Sequence, residues 1–241
     1  MVKTAMIMAA GLGIRFGHYT ELVPKGFVPV GGKPMILRSI EVLLSCGIER
    51  IVIGTGYKCE VYEELKKAYP MIETCFSPRY AETNSMYTLY NTREVLGDDD
   101  FLLLESDLIF EPKAISSLLD CETRDVMLIT PVTKFQDQYY VEYDSEHTLT
   151  NCSVNRDEVD VKGELVGIHK LSHPFYEKMC RDYAGIVSEQ PGLGYEYELL
   201  RMSRRISPVY VLNVPGLKWY EIDDEKDLVY AERNIYPYIH V

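Results

Sequence analysis

Residues 4–8, Thr-Ala-Met-Ile-Met, form an apolar run that opens directly into Ala9-Ala10-Gly11-Leu12-Gly13-Ile14-Arg15. Such a run reads as a buried strand, which a chain accommodates inside a sheet covered by helices. Where a buried strand ends in a glycine turn, backbone N–H groups collect at its carboxyl end, and a phosphate can sit there. Arg15 and, further on, Lys25 in Pro24-Lys25-Gly26 add two positive charges to the same loop. The combination suits a nucleoside triphosphate better than a neutral ligand.

The following residues alternate between strand and helix periods. Strands are expected at 5–9, 50–55, 72–76, 101–105 and 126–129, and helices at 35–44, 60–69, 86–96 and 113–119. Gly47 and Pro70 supply stops, and Asn84 or Ser85 can cap the helix that follows them. This pattern implies an α/β, Rossmann-like, mostly parallel sheet with helices on both faces and ligands at the carboxyl ends of the strands. Beyond about residue 132 the segments 139–143, 148–154 and 158–161 are polar with alternating apolar positions, as in a small antiparallel insertion. A core strand is expected at 164–169, helices at 174–183, 195–202 and 224–235, and strands at 208–214 and 218–222. There is no internal repeat or low-complexity linker, so residues 1–241 read as one domain. Segments 132–163 and 185–215 read as insertion or lid segments on the acceptor side.

Composition narrows the classes. A chain of 241 residues with 46% hydrophobic content can bury a sizeable core. No apolar stretch approaches the ~20 residues that span a bilayer, and Met-Val-Lys-Thr does not begin a signal peptide. The six cysteines are scattered, without Cys-x-x-Cys or histidine at ligand spacing, and read as reduced thiols of a cytoplasmic protein. A formal charge of −12 argues against a nucleic-acid surface, yet leaves room for a local basic pocket and for a metal cation that helps to hold an anion. A monomer or homodimer is expected.

The glycines at 11, 13 and 17 give G-x-G-x-x-x-G, which breaks the dinucleotide fingerprint at Phe16. Gly32-Lys33 is followed by Pro34, which breaks the P-loop pattern. A G-x-G after a strand can also be no more than a tight turn. The full string is more specific. Ala9-Ala10-Gly11-Leu12-Gly13-x-Arg15, then Pro24-Lys25, then Gly32-Lys33-Pro34-Met35-Ile36 resembles the nucleotidyltransferase superfamily of nucleoside-diphosphate-sugar pyrophosphorylases. The resemblance runs from residue 5 to Asp107 and returns at Tyr220-Glu221-Ile222-Asp223. Within it, Arg79-Tyr80-Ala81-Glu82-Thr83-Asn84-Ser85-Met86-Tyr87-Thr88-Leu89 is similar to a segment of bacterial phosphocholine and 2-aminoethylphosphonate cytidylyltransferases.

That resemblance implies a nucleotide-diphospho-sugar transferase-like fold, CTP as donor and Mg²⁺ as cofactor. The implied reaction joins CMP to a small zwitterionic phosphate or phosphonate and releases pyrophosphate. The attacking oxygen is already anionic near neutral pH, so positioning and charge neutralisation would carry the catalysis. Ala10, Gly11, Leu12 and Gly13 would cradle phosphates, Arg15 would meet the departing pyrophosphate, and Lys25 the α-phosphate or the incoming oxygen. Asp107, Glu221 and Asp223 would hold the metal, while Asp224 reads as a helix cap. Thr83, Asn84, Ser85 and Ser106 are assigned to the nucleotide, Asn84 and Ser85 being equally able to cap a helix.

The acceptor end is less defined. Tyr139 with Tyr140 and Tyr143, and Tyr195 with Glu196, Tyr197 and Glu198, can box a cation or can simply pack. Tyr139, Tyr195 and Glu196 are the expected acceptor residues. A quaternary ammonium depends on aromatic walls, and a primary amine can bind carboxylates directly. Both residue types are present, so choline and aminoethyl head groups stay open. The only Trp, at 219, lies outside the acceptor segments, which favours the phosphonate acceptor. A sugar-1-phosphate nucleotidyltransferase using UTP, dTTP or GTP is the alternative.

Overall fold

The structure is a computed structural model that describes residues 2–134 and 138–239. Its strands are β1 (Thr4–Ala9), β2 (Pro29–Val30), β3 (Lys33–Pro34), β4 (Arg50–Thr55), β5 (Ile72–Phe76), β6 (Phe101–Glu105), β7 (Leu108–Phe110), β8 (Val126–Thr130), β9 (Tyr140–Tyr143), β10 (Leu149–Ser153), β11 (Gly163–Leu171), β12 (Tyr210–Asn213) and β13 (Trp219–Glu221). Its helices are α1 (His18–Leu22), α2 (Met35–Ser45), α3 (Cys59–Leu65), α4 (Ser85–Asn91), α5 (Arg93–Leu96), α6 (Lys113–Asp120), α7 (His173–Ala184), α8 (Tyr195–Arg205) and α9 (Glu225–Asn234).

β1 lies at the heart of the sheet because every one of its side chains is apolar or small enough to bury on both faces. It pairs in parallel with β4 on one side and β6 on the other, and β5 extends the row. Alternation along β1 divides the core. Ala5 and Ile7 meet Ile36, Ile40 and Leu43 of α2 on one face, and Met6 meets Met86, Leu89 and Tyr176 on the other. Each such burial contributes about 1.5–3 kcal/mol, against ~0–1 for an exposed ion pair, so these two cores hold the fold.

β11 turns the sheet from parallel to mixed. Ile168–Leu171 run antiparallel to β6, and Gly163 and Glu164 run antiparallel to β9. Glu164 also faces Thr130 of β8, so β9 shares the edge that β6 uses and continues beyond the carboxyl end of β6. Between the two pairings β11 is irregular around Gly167, whose φ of +79° lies in the left-handed region. The break leaves a gap above the ends of β6 and β1. β13 pairs with β7 in a separate ribbon, which brings Glu221 to the same gap.

Several expected elements differ locally. Residues 158–161 form no strand; a short 3-10 turn at Arg156–Glu158 stands there, capped by the Asn155 side chain. The expected helix 60–69 ends at Leu65 and continues as turns to Pro70. The helix expected at 86–96 is two, because the Thr92 hydroxyl donates back to Leu89 O at 2.6 Å between α4 and α5. Residues 135–137 of the 132–163 segment lie outside the described residues. Among the described residues, no helix is long and apolar enough to cross a membrane.

Candidate active site

The gap is a cavity of about 570 Å³ walled by Ala9, Ala10 and Gly11 from the end of β1, Glu105, Ser106 and Asp107 from the end of β6, and Val166 and Gly167 from β11. Helix-side residues Thr83, Asn84 and Ser85 close one side, and Gln138, Tyr139, Glu196, Glu221 and Asp223 another. Arg15 and Lys25 reach in from the glycine loop. The cavity therefore stands at the carboxyl ends of parallel strands, where open α/β sheets bind ligands.

The glycine loop is held from below. Gly13 adopts a left-handed conformation (φ +63°) and starts a 3-10 turn, and the Thr20 hydroxyl donates to Gly13 O at 3.0 Å. A Cβ at residue 13 would stand 2.9 Å from Thr20 Cγ2. Among the described residues, no acceptor takes the N–H groups of Gly11, Leu12 or Gly13, which leaves those donors for a ligand. Ala10 and Gly11 reach the cavity wall; Leu12 and Gly13 do not.

Charge is concentrated at the mouth of β6. Lys25 Nζ donates to Asp107 Oδ2 and to Asp223 Oδ1, the latter at 2.6 Å, and Arg15 Nη2 donates to the same Asp223 oxygen at 2.6 Å. Arg15 is exposed and Lys25 is enclosed. Burial works against the Lys25 ammonium, but Asp107, Asp223 and Glu221 outweigh it and hold its pKa above the ordinary range. Lys25 is thus a fixed cation. Asp223 lies just past β13 rather than on the strand with Glu221, yet both line the cavity because Ile222 N donates to Asp107 O at 3.0 Å. Asp223 Oδ2 is buried with no hydrogen-bond partner. Asp224 caps α9, accepting from the N–H groups of Lys226 and Asp227.

The carboxylates outnumber the cations. Glu105 faces the cavity while protein encloses its other sides; burial first, then Asp107 and Glu196, push its carboxyl up to about 8. Burial, with Glu105, Asp107 and Asp223 adding to it, pushes Glu221 well above the usual range. Burial likewise lifts Glu196 to about 7. Single oxygens of Glu105, Asp107 and Glu221 lie within 4.8 Å of one another, so this oxygen-only set could hold a hard divalent cation.

The remaining expected residues divide clearly. Thr83 donates to Arg79 O at 2.6 Å, Asn84 caps α4 through the Ser85 N–H, and Ser85 Oγ accepts from Tyr195 N at 3.0 Å; all three still line the cavity. Ser106 and Tyr139 line it as well. Tyr195 does not reach it. Its ring is fully buried in the core, because α8 turns that face toward β11, and its hydroxyl donates to Glu105 Oε1 at 2.6 Å with His169 Nε2 3.1 Å behind. Its effect on a ligand runs through Glu105.

Three participants escaped sequence reasoning. Glu105 reads by sequence as the end of a core strand, although a carboxylate that closes Phe-Leu-Leu-Leu just before Ser-Asp is a signal. Gln138, which donates to Glu221 Oε2 at 3.2 Å, carried none. Lys134 donates to Asp227 Oδ2 at 2.9 Å and to Glu221 O at 3.2 Å, and so ties the acidic turn to the segment after β8.

Comparison with known proteins agrees with this geometry. A family described as "MobA-like NTP transferase domain" matches residues 5–185. The 2-aminoethylphosphonate cytidylyltransferase of Lancefieldella rimae is 35% identical over 111 residues, 46% of this chain and 45% of that relative. The choline-phosphate cytidylyltransferase of Streptococcus pneumoniae is 28% identical over 225 residues, 92% of this chain and 94% of its own. A solved structure of CTP:phosphocholine cytidylyltransferase from that organism superposes with a TM-score of 0.81 at 28% identity, covering 96% of this chain and 98% of that one. A sugar enzyme also matches: the mannose-1-phosphate guanyltransferase of Schizosaccharomyces pombe, 33% identical over 112 residues, 44% of this chain and 31% of that relative.

Proposed function

The chain belongs to the family of MobA-like NTP transferase domains and is a nucleotidyltransferase, and we propose that it is a CTP-dependent cytidylyltransferase acting on a small amino-alcohol phosphate or phosphonate. The observation that supports this reading is a cavity with two kinds of lining. The glycine loop with Arg15 and Lys25 offers positive charge and backbone donors, and Tyr139 with Glu196 offers an aromatic ring and a carboxylate. An anionic nucleotide suits the first, and a cationic head group suits the second. The cytidylyltransferase relatives, one of them matching nearly end to end, support the choice of donor. The segments 132–163 and 185–215 supply the acceptor side.

In the proposed reaction an anionic oxygen of the acceptor attacks the α-phosphorus of CTP. The new P–O bond forms as the bond to the β-phosphate oxygen breaks, and pyrophosphate leaves with the electron pair. The free N–H group of Gly11, at the cavity wall, holds the outer phosphates, and Arg15 follows the charge onto the pyrophosphate. Lys25, fixed as a cation, stabilises the charge that builds at the α-phosphate, and it needs no proton exchange to do so. Asp107, Glu221 and Asp223 offer hard oxygen donors that fit Mg²⁺, and the buried free oxygen of Asp223 is available to such an ion. Bound there, Mg²⁺ would neutralise phosphate charge. Cytidine lies against Thr83, Asn84, Ser85 and Ser106.

Pyrophosphate release with CTP, Mg²⁺ and 2-aminoethylphosphonate, phosphoethanolamine or phosphocholine tests the reading. Turnover that disappears in Asp107→Ala, while the far-UV spectrum persists, is the expected result. Full activity in that variant would remove Asp107 from the site. Turnover of UTP, dTTP or GTP with a hexose 1-phosphate would favour the sugar alternative that the guanyltransferase match keeps in view.

A further inference from the structure

The carboxylates of the cavity differ in what already occupies them. Asp107 and Asp223 hold Lys25 at the phosphate end. Glu105 accepts one hydrogen bond, from Tyr195, and Glu221 accepts one from Gln138. Among the described residues, no side chain donates to the Glu196 carboxylate: it is only 7% exposed, it lines the cavity, and its Oε2, like Asp223 Oδ2 at the Lys25 end, has no hydrogen-bond partner. A buried carboxylate oxygen left without a donor is costly unless a ligand supplies one.

The backbone is cut away to make this arrangement. A Cβ on Gly194 would lie 2.4 Å from Glu196 Oε2, and one on Gly167 would lie 2.9 Å from Glu105 Oε2. Both glutamate carboxylates therefore occupy space that a Cβ at those glycines would take. Behind Glu105, the fully buried Tyr195 and His169 fix the carboxylate from the core side. Aromatic walls are sparse by comparison. Among the described residues, Tyr139 is the aromatic side chain at the glutamate end, since Tyr62 lies beneath Gly26 and Tyr80 lies beside Gly56.

We infer that the acceptor's head group is an ammonium bearing N–H donors, a primary amine rather than a quaternary one, and that Glu196, a cavity carboxylate outside the Glu105, Asp107 and Glu221 set that could hold a metal, selects it. The inference rests on the cytidylyltransferase reading and names the substrate class of the same site. A primary ammonium carries three donors and can satisfy several carboxylates at once, whereas a trimethylammonium has none to offer and needs an aromatic cage. The ammonium is unchanged in the reaction; it anchors the acceptor so that its phosphonate or phosphate points toward Lys25.

A methylation series tests this. Pyrophosphate release is measured with CTP, Mg²⁺ and 2-aminoethylphosphonate, followed by its N-methyl, N,N-dimethyl and N,N,N-trimethyl derivatives. The expected result is a stepwise fall in kcat/KM, about 100-fold or more across the series, because each methyl group removes a donor and leaves a buried carboxylate unpaired. Glu196→Gln should raise KM for the primary amine about tenfold or more, with little change in kcat or in KM for CTP, and should narrow the discrimination. A flat series, or a preference for the trimethyl compound, overturns the inference and leaves cytidylyl transfer standing. An unchanged KM in a folded Glu196→Gln also overturns it; if that variant does not fold, the series on the wild-type enzyme decides. No turnover with any member, alongside turnover of a hexose 1-phosphate, overturns both this inference and the reading beneath it.

Discussion

Lys25 and Glu105 show how single residues set the character of the site. Lys25 bridges Asp107 and Asp223, so Lys25→Ala removes a cation from the reaction, leaves Asp107 without its ion-pair partner among the described residues, and leaves Asp223 to Arg15. The variant should lose roughly 100- to 1,000-fold in kcat, the range seen when one preorganised charge contact is deleted. Its metal-free melting temperature should also fall, and calorimetry beside steady-state kinetics checks both. Glu105→Gln should act in the opposite sense on stability. It keeps an acceptor for the Tyr195 hydroxyl while removing from a crowded acidic pocket a buried carboxyl raised to about 8, which folding must hold protonated at neutral pH or bury charged above it, so the metal-free protein should melt higher. The same crowding gives a pH dependence. Burial and its acidic neighbours push the Glu221 carboxyl well above the usual range and lift Glu105 beside it to about 8, and a metal held there must displace the proton that Glu105 carries at neutral pH. Mg²⁺ affinity should therefore rise with pH through the neutral range, which titration calorimetry at several pH values would show; affinity independent of pH would contradict it.

At the scale of elements, the cavity exists because β11 breaks its pairing at Gly167. Any L-residue there meets both an unfavourable φ of +79° and the Glu105 carboxylate. Gly167→Ala should cost about 1–3 kcal/mol in urea unfolding and should raise the acceptor KM more than the CTP KM. Much of this element scale was readable in advance. The strands 4–9, 50–55, 101–105 and 126–130 are largely apolar and buried along almost their whole length, which leaves them few alternatives, whereas 72–76 at the sheet edge buries only Ile72. The ribbon of β7 with β13 and the bend in β11 were not readable, since three-residue strands and a bulge depend on partners far along the chain. Among the candidate site residues, Gly11, Arg15, Lys25 and Asp107 sit in compact sequence motifs, and all four line one cavity. Glu105 and Lys134 were missed because each belongs by sequence to a strand or loop, and only the tertiary fold turns them toward the acidic turn. The Tyr195-Glu196-Tyr197-Glu198 cluster offers rings and carboxylates to a cation by sequence, but the direction of the Tyr195 ring is set by packing against His169.

At the scale of the whole molecule, charge balance governs binding. The chain carries a formal charge of −12, and its cavity sets Glu105, Asp107, Glu196, Glu221 and Asp223 against Arg15 and Lys25. A nucleoside triphosphate adds more negative charge, so CTP should bind appreciably only with a divalent cation. With Mg²⁺ and CTP at a hundredfold excess over Kd, stabilisation of about 2.7 kcal/mol is expected by mass action, and chelation should abolish the CTP-induced thermal shift. An equal shift in the presence of chelator would mean that the protein alone neutralises the triphosphate. The account as a whole turns on which nucleotide and which acceptor the cavity joins. Pyrophosphate release with CTP, UTP, dTTP and GTP, each offered 2-aminoethylphosphonate or a hexose 1-phosphate in Mg²⁺, measures that directly. Release confined to CTP with the amine-bearing acceptor is the predicted result; release from another nucleotide with the sugar phosphate, and none with CTP and the amine, would contradict it.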